Sequence, residues 1–167
     1  MKEVLTYLLQ TKTSPISWLS IAKNTSINSS HTAQSYVELL RDIYLVSISH
    51  YIDPNGRIHY RKNKKIHFFH PFLIKILTEY TRTEMLEEHI VESLISGHFS
   101  RKYDSYYWRG STEVDIITQI DSEIYGFEVK WGPIDWKKPR FLRKSYLLTK
   151  EVIPSFLASL DWNGGQL

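Results

Sequence analysis

Cysteine is absent from the 167 residues. That removes disulfides, thiolate chemistry and cysteine-ligated zinc or iron–sulfur centres. No run of about 18 apolar residues occurs, so no transmembrane helix is expected, and the first twelve residues lack the build of a secretory signal. There is no GxxxxGK[ST] stretch, so a phosphate-cradling P-loop and ATP hydrolysis by this chain are not expected. A strong excess of one charge is also missing, the formal net charge being +3. These absences suit a cytoplasmic protein that does not enter a membrane.

The apolar content of 42% is enough to build one ordinary core or two small ones at this length. The charge is unevenly distributed. Residues 1–80 hold ten Lys/Arg against five Asp/Glu, a formal +5, whereas residues 81–167 hold eleven against thirteen, −2. A basic first half followed by a carboxylate-bearing second half suits a nucleic-acid contact module joined to a metal site.

Residues 3–10 and 16–23 read as short helices separated by the breaker Thr13-Ser14-Pro15. Ser29 or Ser30 can cap a third helix reaching about Asp42, with Ala33, Val37 and Leu40 on its apolar face. Residues 45–52 and 57–61 read as strands about the turn Asp53-Pro54-Asn55-Gly56. Three short helices followed by a β-hairpin form the winged helix-turn-helix order. The third helix offers few cations. The wing and the stretch behind it carry Arg57, Arg61, Lys62, Lys64 and Lys65, which suit phosphate contact without base readout. Winged folds also serve packing and dimerisation, and that alternative stays open.

Pro71 sits where a further helix can begin. His67 and His70 stand in an aromatic-rich stretch, where a structural role is favoured over metal ligation. Residues 83–95 read as a helix whose apolar face is Leu86, Ile90, Val91 and Leu94, with Glu87 falling inside that face. A carboxylate aimed at a core wants a partner or a metal. Tyr106 to Arg109 is expected as a strand. Ser145 to Lys150 follows as another strand, and Pro154 opens a last helix at 155–160. The short crossover from Gly132 to Lys144 carries Lys137, Lys138, Arg140, Arg143 and Lys144, either a phosphate-holding loop or a solvated one.

The centre of the chain is the stretch from Glu113 to Trp131. Two apolar runs, 114–120 and 124–131, flank a polar turn at Asp121 and Ser122. With Ile120 paired to Glu123, counting outward sets Asp115 across from Glu128, with Lys130 on the same face. Directly opposed like charges destabilise a strand pair. A divalent cation held by Asp115 and Glu128 would relieve that cost, and a nearby ammonium would steady an attacking water or a phosphate charge.

Asp115 followed across a hairpin by Glu128-Val129-Lys130 resembles the motif of the PD-(D/E)XK nuclease superfamily. The fuller text, Tyr106 to Ile117 and then Tyr125 to Gly132, is similar to the nuclease-like C-terminal domain of a family of archaeal P-loop ATPases. The stretch from Lys65 to Leu73 also resembles that family's connector, with His70 standing where the family has an acid. The resemblance runs from the three-helix module through Lys150 but does not include the ATPase domain.

The expected architecture is therefore α/β (α+β overall), with a winged helix-turn-helix domain at 1–66 and a small PD-(D/E)XK domain at 67–167. The resemblance and the helical geometry together make Glu87 a third acid beside Asp115 and Glu128. Mg²⁺ or Mn²⁺ is the expected cofactor, with Asp115, Glu128, Glu87 and Lys130 as catalytic residues. DNA contact is expected from Arg57, Arg61, Lys62, Lys137, Lys138 and Arg140. The expected partners are DNA, a second copy of the chain and a separate ATPase. The expected function is a metal-dependent nuclease or nuclease-like DNA-binding protein hydrolysing phosphodiester bonds. The alternative is a non-catalytic DNA-binding or protein-interaction module on the same fold.

Overall fold

The computed structural model describes residues 1–120, 123–132 and 135–162. The expected turn at Asp121 and Ser122, and Pro133 in the crossover, lie outside the described residues. Among the described residues, six helices accompany one six-stranded sheet of order β2-β1-β3-β4-β5-β6, a mixed α/β fold. None of these helices is long and apolar enough to cross a membrane.

The first three helices are α1 (Lys2–Gln10), α2 (Trp18–Lys23) and α3 (Ser30–Asp42). Their limits follow from local chemistry. Ser17 and Ser20 form a reciprocal capping box on α2, and the Ser29 hydroxyl accepts the Thr32 N–H at the start of α3. Ala33, Val37 and Leu40 are buried as the periodicity requires. They close a core with Val4, Leu8 and Leu9 of α1 and with Val46, Ile66 and Phe68 of the following hairpin.

That hairpin is β1 (Val46–Ile52) and β2 (Ile58–Phe68). The second strand is much longer than the 57–61 expected, and the domain boundary expected at 66/67 falls within it. Its ladder with β1 breaks between His50 and Tyr51, which pair with Lys64 and His59. The inner half of β2 is buried from Lys64 to Phe68. Strand β1 also pairs in parallel with β3 (Tyr106–Arg109), matching His50 to Tyr106 and Tyr51 to Tyr107. One sheet thus runs unbroken from the N-terminal hairpin to the C-terminal strands.

The helix α4 (Pro71–Thr81) begins where Pro71 allows, and His70 caps it by accepting the Phe72 N–H at Nδ1. The next helix, α5 (Glu87–Ser100), starts four residues later than the sequence suggests. Its buried face is Glu92, Ser93, Ile95, Ser96, Gly97 and Phe99, which is not the Leu86–Ile90–Leu94 face that hydrophobicity marks. Small residues let the helix close on the sheet. A Cβ on Gly97 would lie 3.1 Å from the Phe69 carbonyl oxygen and 3.2 Å from its Cα. Leu86, on the face expected to be apolar, is exposed.

Strands β4 (Glu113–Ile120) and β5 (Glu123–Lys130) pair in the expected register, from Ile120↔Glu123 to Ile116↔Phe127. Strand β6 (Lys144–Thr149) lies parallel to β5, and α6 (Ile153–Trp162) closes the described chain. Helices α5 and α6 cover one side of these strands through Ile95, Phe99, Phe127 and Ile153. The crossover between β5 and β6 has no helix among its described residues. Trp136, Phe141 and Leu142 pack it on Ile52, Val114 and Ile117, and the Trp136 indole N–H donates to the Glu113 carbonyl at 3.0 Å.

Candidate functional site

The β3–β4 ladder contains an irregularity that places the site. Tyr106 pairs with Ile117 and Trp108 with Val114, so three steps on β4 answer two on β3. The extra residue falls in the Asp115–Ile116 segment. Such a bulge bends the strand and re-aims a side chain. The β4–β5 ladder stops at Ile116, and Asp115 reaches β5 through its side chain, Oδ2 accepting the Val129 N–H at 3.0 Å.

Asp115 and Glu128 are both buried, at 7% and 2% exposure. They open on a cleft of about 390 Å³ also lined by Glu92, Glu113, Lys65 and Lys130. Lys130 sits at the cleft edge and contacts Glu128 Oε1 at 2.8 Å. The expected trio of Asp115, Glu128 and Lys130 is therefore brought together.

The buried acid that α5 brings to this cleft is Glu92, one turn and more beyond the expected Glu87. Glu87 lies exposed in the first turn of α5, its Oε2 accepting the Trp131 indole N–H at 3.0 Å. The expectation failed because it followed the large apolar residues of the helix, whereas the buried face is made of small ones. Ser93, Ser96 and Gly97 beside Glu92 are the signal that marks this face.

Lys65 occupies the centre of the cluster. The sequence places it among the phosphate-contacting lysines of the hairpin, but it is only 2% exposed. Its Nζ lies 2.8 Å from Glu92 Oε1, 2.7 Å from Glu113 Oε1 and 2.8 Å from Asp115 Oδ1. The ammonium donates hydrogen bonds to Glu92 and Asp115, and Glu113 adds a third carboxylate as an ion-pair contact. Thr13 completes the inner shell by donating its hydroxyl to Glu92 Oε2 at 2.5 Å. Lys12 and Thr13 hold φ of 50° and 60°. That region is costly for a β-branched residue such as Thr13, and strain of this kind collects at functional sites.

The ionisation of these groups follows from burial and neighbours. Burial pushes the Glu128 carboxyl up to about 8, the Asp115 charge adding to the rise and Lys130 opposing it. Burial and Asp115 likewise push Glu92 up to about 7 against the pull of Lys65 and Thr13. Burial works against the Asp115 charge too, but the Lys65 ammonium and the Val129 N–H outweigh it and hold Asp115 below the usual carboxylate range. Burial also disfavours the Lys65 ammonium. The carboxylates of Asp115, Glu92 and Glu113 overcome that and hold it well above the ordinary lysine range.

Hard oxygen donors of this kind suit Mg²⁺, which sits about 2.0–2.1 Å from its ligands. The arrangement does not. Asp115, Glu92 and Glu113 converge on Lys65 at 2.7–2.8 Å, too wide for that ion. Asp115 Oδ2 and Glu128 Oε1 are also engaged. Glu128 Oε2 is buried and lacks a hydrogen-bond partner among the described residues. No group of three or more His, Cys, Asp or Glu among the described residues is set to hold a metal ion. His67 is fully buried with both ring nitrogens unpartnered, and His70 is a helix cap, so neither joins such a group.

The expected DNA-contact residues fall in two places. Arg57, Arg61 and Lys62 are exposed on β2 or the turn before it, with the Lys62 ammonium 3.9 Å above the Tyr51 ring. Lys137, Lys138 and Arg140 are exposed on the crossover, where Lys138 donates to the Arg143 carbonyl.

Comparison with known families adds one match. A family described as "Domain of unknown function (DUF4143)" matches residues 82–157, a little under half of the chain. The matched span contains Glu92, Glu113, Asp115, Glu128 and Lys130, while Thr13 and Lys65 lie outside it. No curated protein and no solved structure matches the chain.

Proposed function

We propose that this chain is a nuclease-like DNA-binding protein of the PD-(D/E)XK kind, a winged helix-turn-helix module leading into a nuclease-like core. The observation that carries the reading is the convergence of Asp115, Glu128 and Lys130 with a helix acid in one cleft. Arg57, Arg61 and Lys62 support DNA contact from the wing, with Lys137, Lys138 and Arg140 beside the crossover. The cleft itself is lined by six carboxylates and four Lys/Arg. That balance repels a phosphodiester unless a further cation enters.

Phosphodiester hydrolysis is the activity such a cleft suits once it holds a divalent cation, which would supply hydroxide near neutral pH and screen the phosphate charge. Asp115, Glu128 and Glu92 are the side chains chemically suited to it. With Lys65 in place they do not fit it, so the chain's own residues are assigned only the binding and orienting roles they show. Lys130 holds Glu128 and faces the cleft.

The position of Lys65 favours a second reading, in which the cluster is structural and the protein binds DNA or another protein without cutting. Supercoiled, linear and branched DNA incubated with Mg²⁺ or Mn²⁺ separates the two. Slow cleavage by the wild type, lost in both Asp115→Ala and Lys130→Ala, is the expected outcome. DNA bound but uncut by the wild type leaves the second reading standing.

A further inference from the structure

We infer that Lys65 is a built-in cation that competes with divalent metal for the carboxylate cluster, so that metal binds tightly in this chain only when the Lys65 ammonium is removed. The inference rests on the reading of this cluster as a metal site. It goes beyond that reading by assigning control of the site to a residue of the N-terminal hairpin.

Three independent features support it. The ammonium is surrounded by three carboxylate oxygens at 2.7–2.8 Å, two of them accepting its hydrogen bonds. Its backbone is pinned on both sides. Lys64 pairs with His50 of β1, and it exchanges two backbone hydrogen bonds with Ile16 at 3.0 and 2.9 Å. Lys65 itself pairs with Ser49. A surface lysine folding inward by chance would not be delivered by a strand held this way. Finally, the acids it binds come from two elements, Glu92 from α5 and Glu113 and Asp115 from β4. The ammonium thus does the gathering that a metal ion does elsewhere. A divalent cation entering beside it would set two cations against one another at the same three oxygens, a repulsion that low dielectric makes severe. With Lys65 replaced by an apolar side chain, Asp115, Glu92 and Glu113 become mutually repelling oxygen donors, and Glu128 Oε2 adds a fourth unsatisfied one.

The test is metal binding by wild type, Lys65→Met and the double variant Lys65→Met/Asp115→Asn. Mn²⁺ titration is followed by calorimetry, and Tb³⁺ by emission sensitised through Trp131, which lines the same cleft. Lys65→Met is expected to bind Mn²⁺ at least roughly a hundredfold more tightly than the wild type, and the added Asp115→Asn to abolish that gain. Equal binding by wild type and Lys65→Met overturns the inference, as does a folded Lys65→Met that binds no metal. If Lys65→Met is unfolded in chelator, folding on addition of Mn²⁺ supports the inference, and failure to fold with Mn²⁺ counts against it. The readout also separates this inference from the hydrolytic reading. Metal binding by Lys65→Met without DNA cleavage keeps the inference and removes hydrolysis. Cleavage by the wild type, with no better metal binding in the variant, does the reverse.

Discussion

The β4–β5 hairpin and the β1–β2 hairpin each deliver one lysine to the same cleft, and hold it differently. Lys130, two residues from Glu128 on one strand, is about one-third exposed and pairs with that single carboxylate. Lys65 is buried and pairs with three acids whose positions lie 27 to 50 residues further along the chain. The first is a local pair, formed once β5 is extended. The second exists only after β2, α5 and β4 have docked. The two lysines should therefore answer mutation differently.

The largest expected effect breaks this contrast directly. Lys65→Met leaves buried carboxylates without their cation and should cost about 3–5 kcal/mol in chelator at pH 7. Lys130→Met should cost about 1 kcal/mol or less, since its ammonium is partly hydrated and screened. Urea denaturation of the two variants side by side checks this, and equal losses would erase the distinction between the hairpins.

His67 sharpens the comparison from the same face of β2, two residues beyond Lys65. Burial, reinforced by the Lys65 ammonium and opposed by Asp115, holds its imidazole down to about 3. The unfolded chain takes up a proton near 6.5, but the folded one does not until about 3. Between those values the unfolded state binds more protons, so stability falls as pH drops, by up to about 1.4 kcal/mol per pH unit from this group. His67→Leu should flatten the acid limb of a stability-versus-pH curve and leave stability above pH 7 little changed. A curve parallel to the wild type would show that His67 is accessible to protons in the folded state.

The smallest effect concerns how α5 approaches β2. Gly97→Ala sets a methyl against the Phe69 backbone and should cost about 1 kcal/mol, overpacking outweighing the gain in helix propensity. The shift would move Glu92 relative to Lys65, so Lys65→Met and Gly97→Ala should be less than additive in a double-mutant cycle. Full additivity would mean that the α5 approach is not coupled to the cluster.

Much of this molecule could be read before it was folded. The Ser29 cap, the Pro71 helix start, the Asp53–Gly56 turn and the β4–β5 register all rest on neighbours a few residues apart. Asp115, Glu128 and Lys130 were legible for the same reason, being two ends of one hairpin. Glu92 was harder. The helix was plain, but its buried face was set by how closely it could approach the sheet, which favours Ser93, Ser96 and Gly97 over larger apolar residues.

The sequence by itself determined the elements, their order and the carboxylate–lysine pattern of one hairpin, because dihedral preferences, caps and strand alternation act over a turn or two. Tertiary structure alone decided that the N-terminal hairpin joins the same sheet, that a bulge turns Asp115 inward, and that Lys65 is a buried ion pair instead of a phosphate contact. A lysine's charge is the same in either setting. Whether it faces water or three carboxylates depends on strands and a helix that meet only when the chain closes its core.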